Sequence, residues 1–503
     1  MANVSFGKYE ANEQNSVSPG KDYTLNVFFD GTQNNKSNTQ SRLNKGTLGK
    51  VPYDKHSNKK DDSYENDYSN VAREYDAIDT NQPLTTTIYV EGIGTVNHKS
   101  DQIFPVGLGH GSFLFAKTGV KDKVNSGCEN AAKEIAKRIT KINVLTVNVF
   151  GFSRGATAAR HFIEVSSKDV PVKIYSDPNG KRSWYYLPNR FDVKNIPPTK
   201  MKQFILKNGY LGQCLFENEV EFSKVVFNFV GLYDTVSSYG MYHGNDVWEL
   251  GLDAIKNAKM TLQIGADNEY RENFDLTNIN SSGIKGIQFK IPGVHCDIGG
   301  AYIQGAEETS IVNIDNVFST LSENNCDKFK KILIEEGWYN EKQLVKKTKA
   351  GGRGRKSKVS LQGKRVLHNT YDKISLNKMI SFSKNYDIKY NDKIIKDKYE
   401  IKDTFLINVN KQLENYMSAC NDLRNSYVVG FNKANSDGQA KISKNYNEKL
   451  KEINYLDFIS SENLKKLRNE YLHWSVKCDK FGLGPRFSGP LPESKRKREI
   501  QNG

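Results

Sequence analysis

A chain of 503 residues with a formal net charge of +15 is long enough for a large core, with room for several domains or for one domain with insertions. Hydrophobic content is low at 37%, but 11% aromatic residues supply packing area that a disordered chain lacks. No run approaches the roughly 18 apolar residues of a membrane span, and Cys128, Cys214, Cys296, Cys326, Cys420 and Cys478 form no CxxC pair, which argues against a disulfide framework or structural zinc.

Residues 1–22 read as a polar arm without the basic-then-apolar order of a secretory signal, so the expectation is synthesis in the cytoplasm without a signal peptide. Thr24 to Phe29 (TLNVFF) predicts a buried strand, stopped by Asp30-Gly31-Thr32. The stretch 33–81, rich in Asn, Ser, Lys and Asp, reads as a surface insertion. Thr85 to Val90 (TTTIYV) is the next strand, followed by Gly92-Ile-Gly-Thr95 and a loop with Gly107, Gly109 and Gly111. Asn130 to Ile139 has helical spacing, Val144 to Phe150 predicts a third strand, and a helix begins at Ala156. A second polar insertion (166–224) precedes strands at Val225 to Leu232 and Gly286 to Ile291. Strands alternating with helices imply an α/β fold, a mostly parallel sheet with helices on both faces.

Beyond about Asn313 the pattern turns helical, at Val317 to Glu336 and Asp403 to Asn425, with a basic linker between. The expected organisation is a catalytic core at 23–310, a helical, Lys-rich accessory region at 311–470 acting as membrane-binding element or lid, and a segment 471–503 returning to the core. The linker Lys346 to Arg365 (KKTKAGGRGRKSKVSLQGKR) has no acidic residue, and Ser494-Lys-Arg-Lys-Arg498 is a second basic cluster. Such runs either keep a surface solvated or attract phosphates of lipid headgroups. No zinc-finger spacing or RNA-binding aromatic signature accompanies them, so no nucleic-acid partner is expected.

Gly151-Phe152-Ser153-Arg154-Gly155 carries the chemistry. Five letters alone say little, but a β-branched strand runs into them and a small-residue helix, Ala156-Thr-Ala-Ala159, runs out. A sharp strand-to-helix turn would lift Ser153 above the sheet edge at a helix N-terminus, where amides favour developing negative charge. An ordinary turn with Ser capping the helix is the plainer alternative.

A serine hydroxyl needs a base, usually His held by a carboxylate, and in an α/β-hydrolase the chain order is Ser, acid, His. Of the downstream histidines, His161 lies in the helix behind the nucleophile. His295 follows a strand within Pro292-Gly-Val-His-Cys-Asp-Ile-Gly-Gly300, and His473 in Tyr471-Leu-His-Trp-Ser475 is the alternative base. Asp234, at the end of the Val225 to Leu232 strand, is the expected acid, with Asp297 and Asp246 as alternatives. The oxyanion hole is expected from the backbone amides of Arg154 and of Gly31 or Thr32. Read alone, Asp30-Gly-Thr could be a phosphoryl-accepting or metal-binding carboxylate, but that leaves the serine turn unexplained. No metal and no cofactor are expected.

Phe28-Phe-Asp-Gly-Thr-Gln-Asn34, Gly92-Ile-Gly-Thr95, Gly151-Phe-Ser-Arg-Gly-Ala156, Leu232-Tyr-Asp-Thr-Val236 and Pro292 to Gly300 occur in one order. Together they resemble the α/β-hydrolase domain of bacterial type VI secretion lipase effectors, antibacterial phospholipase toxins of the GxSxG class. The resemblance covers about residues 24–302 and implies a Ser153–Asp234–His295 catalytic triad. It implies cleavage of fatty-acyl esters of membrane glycerophospholipids, as a phospholipase of A1 or A2 type, through an acyl-enzyme. It further implies a secretion spike or tube partner, a cognate immunity protein, and delivery into a target cell's periplasm or membrane. Cys296 stands where that family commonly has Ser, and Tyr233 where Trp is common. A serine esterase acting on a soluble ester, and a non-catalytic secretion scaffold, are the competing readings.

Overall fold

The structure, a computed structural model, describes residues 20–44, 61–102, 118–176, 183–186, 200–237, 246–318, 323–351, 355–480 and 482–503. Nearly all of the polar arm, the loop of Gly107, Gly109 and Gly111, and parts of both insertions and of the basic linker lie outside them.

Runs rich in Val, Ile, Leu and Phe become the strands of one sheet: β1 (Lys21–Phe29), β2 (Thr85–Val90), β3 (Lys141–Phe152), β4 (Glu221–Tyr233), β5 (Met260–Ala266) and β6 (Gly286–Ile291). Their order is β6-β5-β4-β3-β1-β2, every pair parallel. Side chains alternate between two buried faces. Leu25, Val27 and Phe29 of β1 and Val147 and Val149 of β3 join one apolar cluster, while Phe28, Phe150 and Phe152 join the other. Phe28 stacks on Phe150 with ring centroids 4.5 Å apart.

On the Phe28 face a polar ladder crosses the sheet. Asn228 Nδ2 donates to Asn148 Oδ1 (3.0 Å), Asn148 Nδ2 to Asn26 Oδ1 (2.9 Å), and Asn26 Nδ2 to Thr87 Oγ1 (3.3 Å). A one-residue slip would break this chain and invert the faces, so the ladder fixes register.

Helices α1 (Asn70–Ala77), α2 (Val120–Ala136) and α3 (Arg154–Ser167) cover the sheet. Ala156, Ala158 and Ala159 of α3 are fully buried, since small side chains let the helix approach the strands. Val71 and Ala77 of α1, expected in a surface insertion, are fully buried too.

The strand Met260–Ala266 was not expected, because Gln263 and Gly265 interrupt its apolar run; Gln263 is buried and donates to Thr277 O (2.9 Å) and Gln288 Oε1 (2.8 Å). Two further expectations change, one for a helix and one for the linker. Val317 ends a strand, β7 (Glu307–Val317), and the helix starts only at Asn325. The basic linker contributes β8 (Leu344–Lys349) and β9 (Ser357–Val366), which form a three-stranded antiparallel sheet with β7. Alternation explains this: Val359, Leu361 and Arg365 point inward while Lys358 and Lys364 are exposed. The segment 471–503 lies against the core, with Leu472, Trp474 and Val476 buried and Ile500–Gln501 pairing with Leu276–Thr277.

Strand order reverses between β1 and β3, with β2 outward on one side and β4, β5 and β6 on the other. The crevice above the carboxyl ends of β1 and β3 is where such a sheet receives a ligand. Asp30-Gly31-Thr32 leaves β1 there, and Ser153 leaves β3.

Candidate active site

Ser153 sits between β3 and α3 with φ 59° and ψ −128°, a conformation that non-glycine residues rarely adopt. The turn is held by Ser153 N–H donating to Tyr233 O (3.0 Å) and by Thr157 Oγ1 donating to Val236 O (2.8 Å). Strand and helix meet closely enough that a Cβ on Gly155 would lie 2.2 Å from Asp30 O, so glycine is required there. This is the local geometry of a nucleophile elbow, and a capping hydrogen bond from the Ser153 side chain is not part of it.

Asp234 follows β4, also at positive φ (45°). His295 opens the short helix α4 (His295–Gly299) just after β6. The two meet above the sheet, His295 Nδ1 lying 2.5 Å from Asp234 Oδ2. An ionised carboxylate only accepts, so Nδ1 carries the proton and Nε2 is left as the acceptor. The imidazole lies between Phe152, the residue before Ser153, and Phe274, with centroids at 4.6 Å and 5.1 Å. Ser153 is 5% exposed, His295 3% and Asp234 0%. Among the described residues no hydrogen bond ends on Ser153 Oγ.

The electrostatics follow from that burial. Burial lowers the His295 pKa below its usual value, although the Asp234 carboxylate pulls the other way. For Asp234, burial would raise the pKa, but the Arg498 guanidinium and the His295 N–H outweigh it and hold the carboxyl well below the usual range. Arg498 donates through Nη1 to Oδ1 (2.6 Å) and Nη2 to Oδ2 (3.0 Å), and the Ala266 amide also donates to Oδ1 (2.8 Å). Sequence reasoning placed Arg498 in a phosphate-attracting cluster; no local signal in that cluster points to Asp234.

Glu269 was missed as well. Its carboxylate accepts from the His295 amide (3.2 Å), from Ser475 Oγ (2.8 Å) and from the Arg271 fork (2.9 and 2.8 Å). Burial opposes its ionisation, but Arg271 outweighs that and holds its pKa at about 2.

The alternative base and alternative acid pair with each other. His473 Nδ1 lies 2.7 Å from Asp297 Oδ1, and its ring stacks on Tyr302 at 3.6 Å. Asp246 opens a short helix, Asp246–Leu250. Of the oxyanion candidates, the Gly31 amide already donates to Asp30 Oδ1 (2.7 Å), while Thr32 Oγ1 is buried without a partner among the described residues. Arg154 is the first residue of α3, so its amide belongs to the helix N-terminus. Asp30 itself is pushed up to about 6 by burial and accepts from Tyr89 Oη (2.6 Å), which fits a structural tie between β1 and β2.

The chain that carries this strained serine and this His–Asp pair is matched by a family described as T6SS, phospholipase effector Tle1-like, catalytic domain, over residues 23–320. The chain belongs to the Tle1-like phospholipase effector family. The matched span holds Ser153, Asp234 and His295, whereas Arg498 lies outside it. Among solved structures, one described as the Tle1 effector bound to the VgrG spike from the Type 6 secretion system matches at TM-score 0.52 and 17% identity, covering 100% of this chain and 99% of that one. That likeness extends the Tle1 fold beyond the matched span. An uncharacterized protein from Pseudomonas aeruginosa matches at TM-score 0.36 and 14% identity, covering 94% and 65%, too weakly to bear on the fold. No curated protein sequence matches the chain. Among the described residues of this Tle1-like effector, no helix is long and apolar enough to cross a membrane.

Proposed function

We propose that this type VI secretion phospholipase effector cleaves a fatty-acyl ester of a membrane glycerophospholipid, at an A1 or A2 position, through an acyl-enzyme on Ser153. The observation that carries the reading is the strained Ser153, whose neighbour Phe152 packs on the ring of a His295 with its Nδ1–H committed to Asp234. Ser153 Oγ attacks the ester carbonyl while its proton passes to His295 Nε2; Asp234 stabilises the imidazolium. The amides of Arg154 and Thr32 hold the oxyanion, a division of labour favoured because the Gly31 amide is already bonded. The imidazolium then protonates the departing lysophospholipid alkoxide. Water, deprotonated by His295, releases the fatty acid and restores Ser153.

Exposed Lys347, Lys349 and Lys358 on β8 and β9 favour an anionic surface, each worth about 1 kcal/mol near the headgroups. Likeness to the effector solved on the VgrG spike supports delivery by a spike component; a cognate immunity protein in the producer is part of the same proposal. The test is fatty-acid release from glycerophospholipid vesicles. Wild type releases it and Ser153→Ala does not; equal release by both sinks the assignment. Activity on short soluble esters with none on vesicles would favour a soluble substrate instead.

A further inference from the structure

Arg498 is nearly buried (5% exposed side chain) and spends its donors on one corner of the site. Besides the two-oxygen fork on Asp234, Nη1 donates to Ala266 O (2.9 Å) and Nε to Phe274 O (2.8 Å). Ala266 ends β5, and Phe274 packs on the His295 ring. One planar guanidinium therefore ties together the carboxylate, the strand end beneath it and the loop beside the imidazole.

The backbone around Arg498 explains how it reaches there. Leu276 N–H donates to Glu499 O (3.0 Å) and Asn278 N–H to Gln501 O (2.9 Å), so Ile500–Gln501 lies as a parallel strand on Leu276–Thr277. Thr277 N–H in turn donates to Thr235 O (3.0 Å), next to Asp234. Two residues earlier Arg496 is ion-paired with Glu336 and lies over the rings of Tyr270 and Trp474 at 5.1 and 5.5 Å. Both arginines of this basic cluster thus point inward.

We propose that Arg498 is a positioning residue of the hydrolase, acting through Asp234, and that the site is complete only when the segment carrying Arg498 is docked on Leu276–Thr277. This rests on the triad reading. Asp234 has no exposure of its own, so without Arg498 its charge would rest on His295 and one amide. The fork keeps the carboxylate ionised and turns Oδ2 toward His295. It also offsets part of the carboxylate's charge, which holds down the proton affinity of the base.

The test uses the full chain with Arg498→Met, Arg498→Lys, Asp234→Asn and the Asp234→Asn/Arg498→Met double variant, assayed on phospholipid vesicles across pH and checked for folding by thermal melts. Removing a cation raises the proton affinity of nearby groups, so the acid limb of kcat/KM should move up by about one pH unit in Arg498→Met. Its kcat should fall about 100-fold with KM little changed, and the loss should vanish in the Asp234→Asn background. Arg498→Lys should keep the wild-type acid limb but lose about tenfold in kcat, because a point charge cannot span both oxygens. If Arg498→Met does not fold, the Lys variant and its double with Asp234→Asn carry the kcat comparison: the tenfold loss should vanish in the Asp234→Asn background. An unmoved acid limb with losses additive to Asp234→Asn, or wild-type kcat, overturns the proposal. Ser153→Ala separates the two failures: if it stays active the triad reading falls, and if it is silent while the Arg498 variants behave as wild type, only this inference falls.

Discussion

His473 and Asp297 form a second imidazole–carboxylate pair, 2.7 Å between Nδ1 and Oδ1, with Asp297 on the helix that presents His295. Asp297 also accepts the amides of Val294 (2.9 Å) and His473 (3.1 Å), and Tyr302 covers the His473 ring. That pair ties the 471–475 segment to the His295 loop, a bracing role. His295→Ala should therefore cost about 10⁴-fold in kcat, and His473→Ala under tenfold once folding is matched. A folded His473→Ala as inactive as His295→Ala would transfer the base to His473.

Burial holds His295 below the ordinary histidine value of about 6.5. The lowered pKa keeps His295 neutral as pH falls past that value, and a base at this position must be neutral to accept a proton from Ser153. The acid limb of kcat/KM should accordingly lie below pH 6.5. A limb well above it, in wild-type protein with saturating lipid excluded, would contradict the assignment.

Glu269 links the His295 amide to Arg271 and Ser475. Glu269→Gln leaves a largely buried guanidinium without its counter-charge, which typically costs about 3–5 kcal/mol. Thermal and denaturant melts should show that loss, with kcat reduced in the surviving folded fraction. A melt within a degree of wild type would mean that Arg271 finds another partner.

Glu74 is fully buried between Tyr233 Oη (2.8 Å) and Tyr390 Oη (2.7 Å), and burial pushes its pKa up to about 8. The folded protein thus binds this proton more tightly than the unfolded chain, whose glutamate titrates near 4.3. Stability contributed by that proton declines as pH rises from the unfolded value through about 8. Glu74→Gln removes the titration, so its melting temperature should gain on wild type between pH 6 and pH 8. A constant difference across that range would show that Glu74 does not titrate there.

The strained turn at Ser153 was legible because its signal is local: Val144 to Phe150, the glycines and Ala156 to Ala159 are contiguous, and each states part of the turn. Asp234 and His295 were legible as residues at strand ends. Arg498 and Asp234 are 264 residues apart, and nothing near Arg498 distinguishes a buried fork from a solvated basic cluster. The same holds for Glu269, whose partners include a serine 206 positions away. Strand β5 was hidden by Gln263, a buried polar side chain satisfied only in three dimensions. The basic linker misled by composition, since period-two alternation around Val359 and Leu361 outweighs its lysines.

Mapping a fluorophosphonate adduct by peptide mass spectrometry tests the central claim most directly. A single modified serine, Ser153, is expected, with labelling lost in Ser153→Ala and slowed in His295→Ala as fatty-acid release is lost. Intact lipid hydrolysis with no adduct, or with the adduct on another residue, would contradict it.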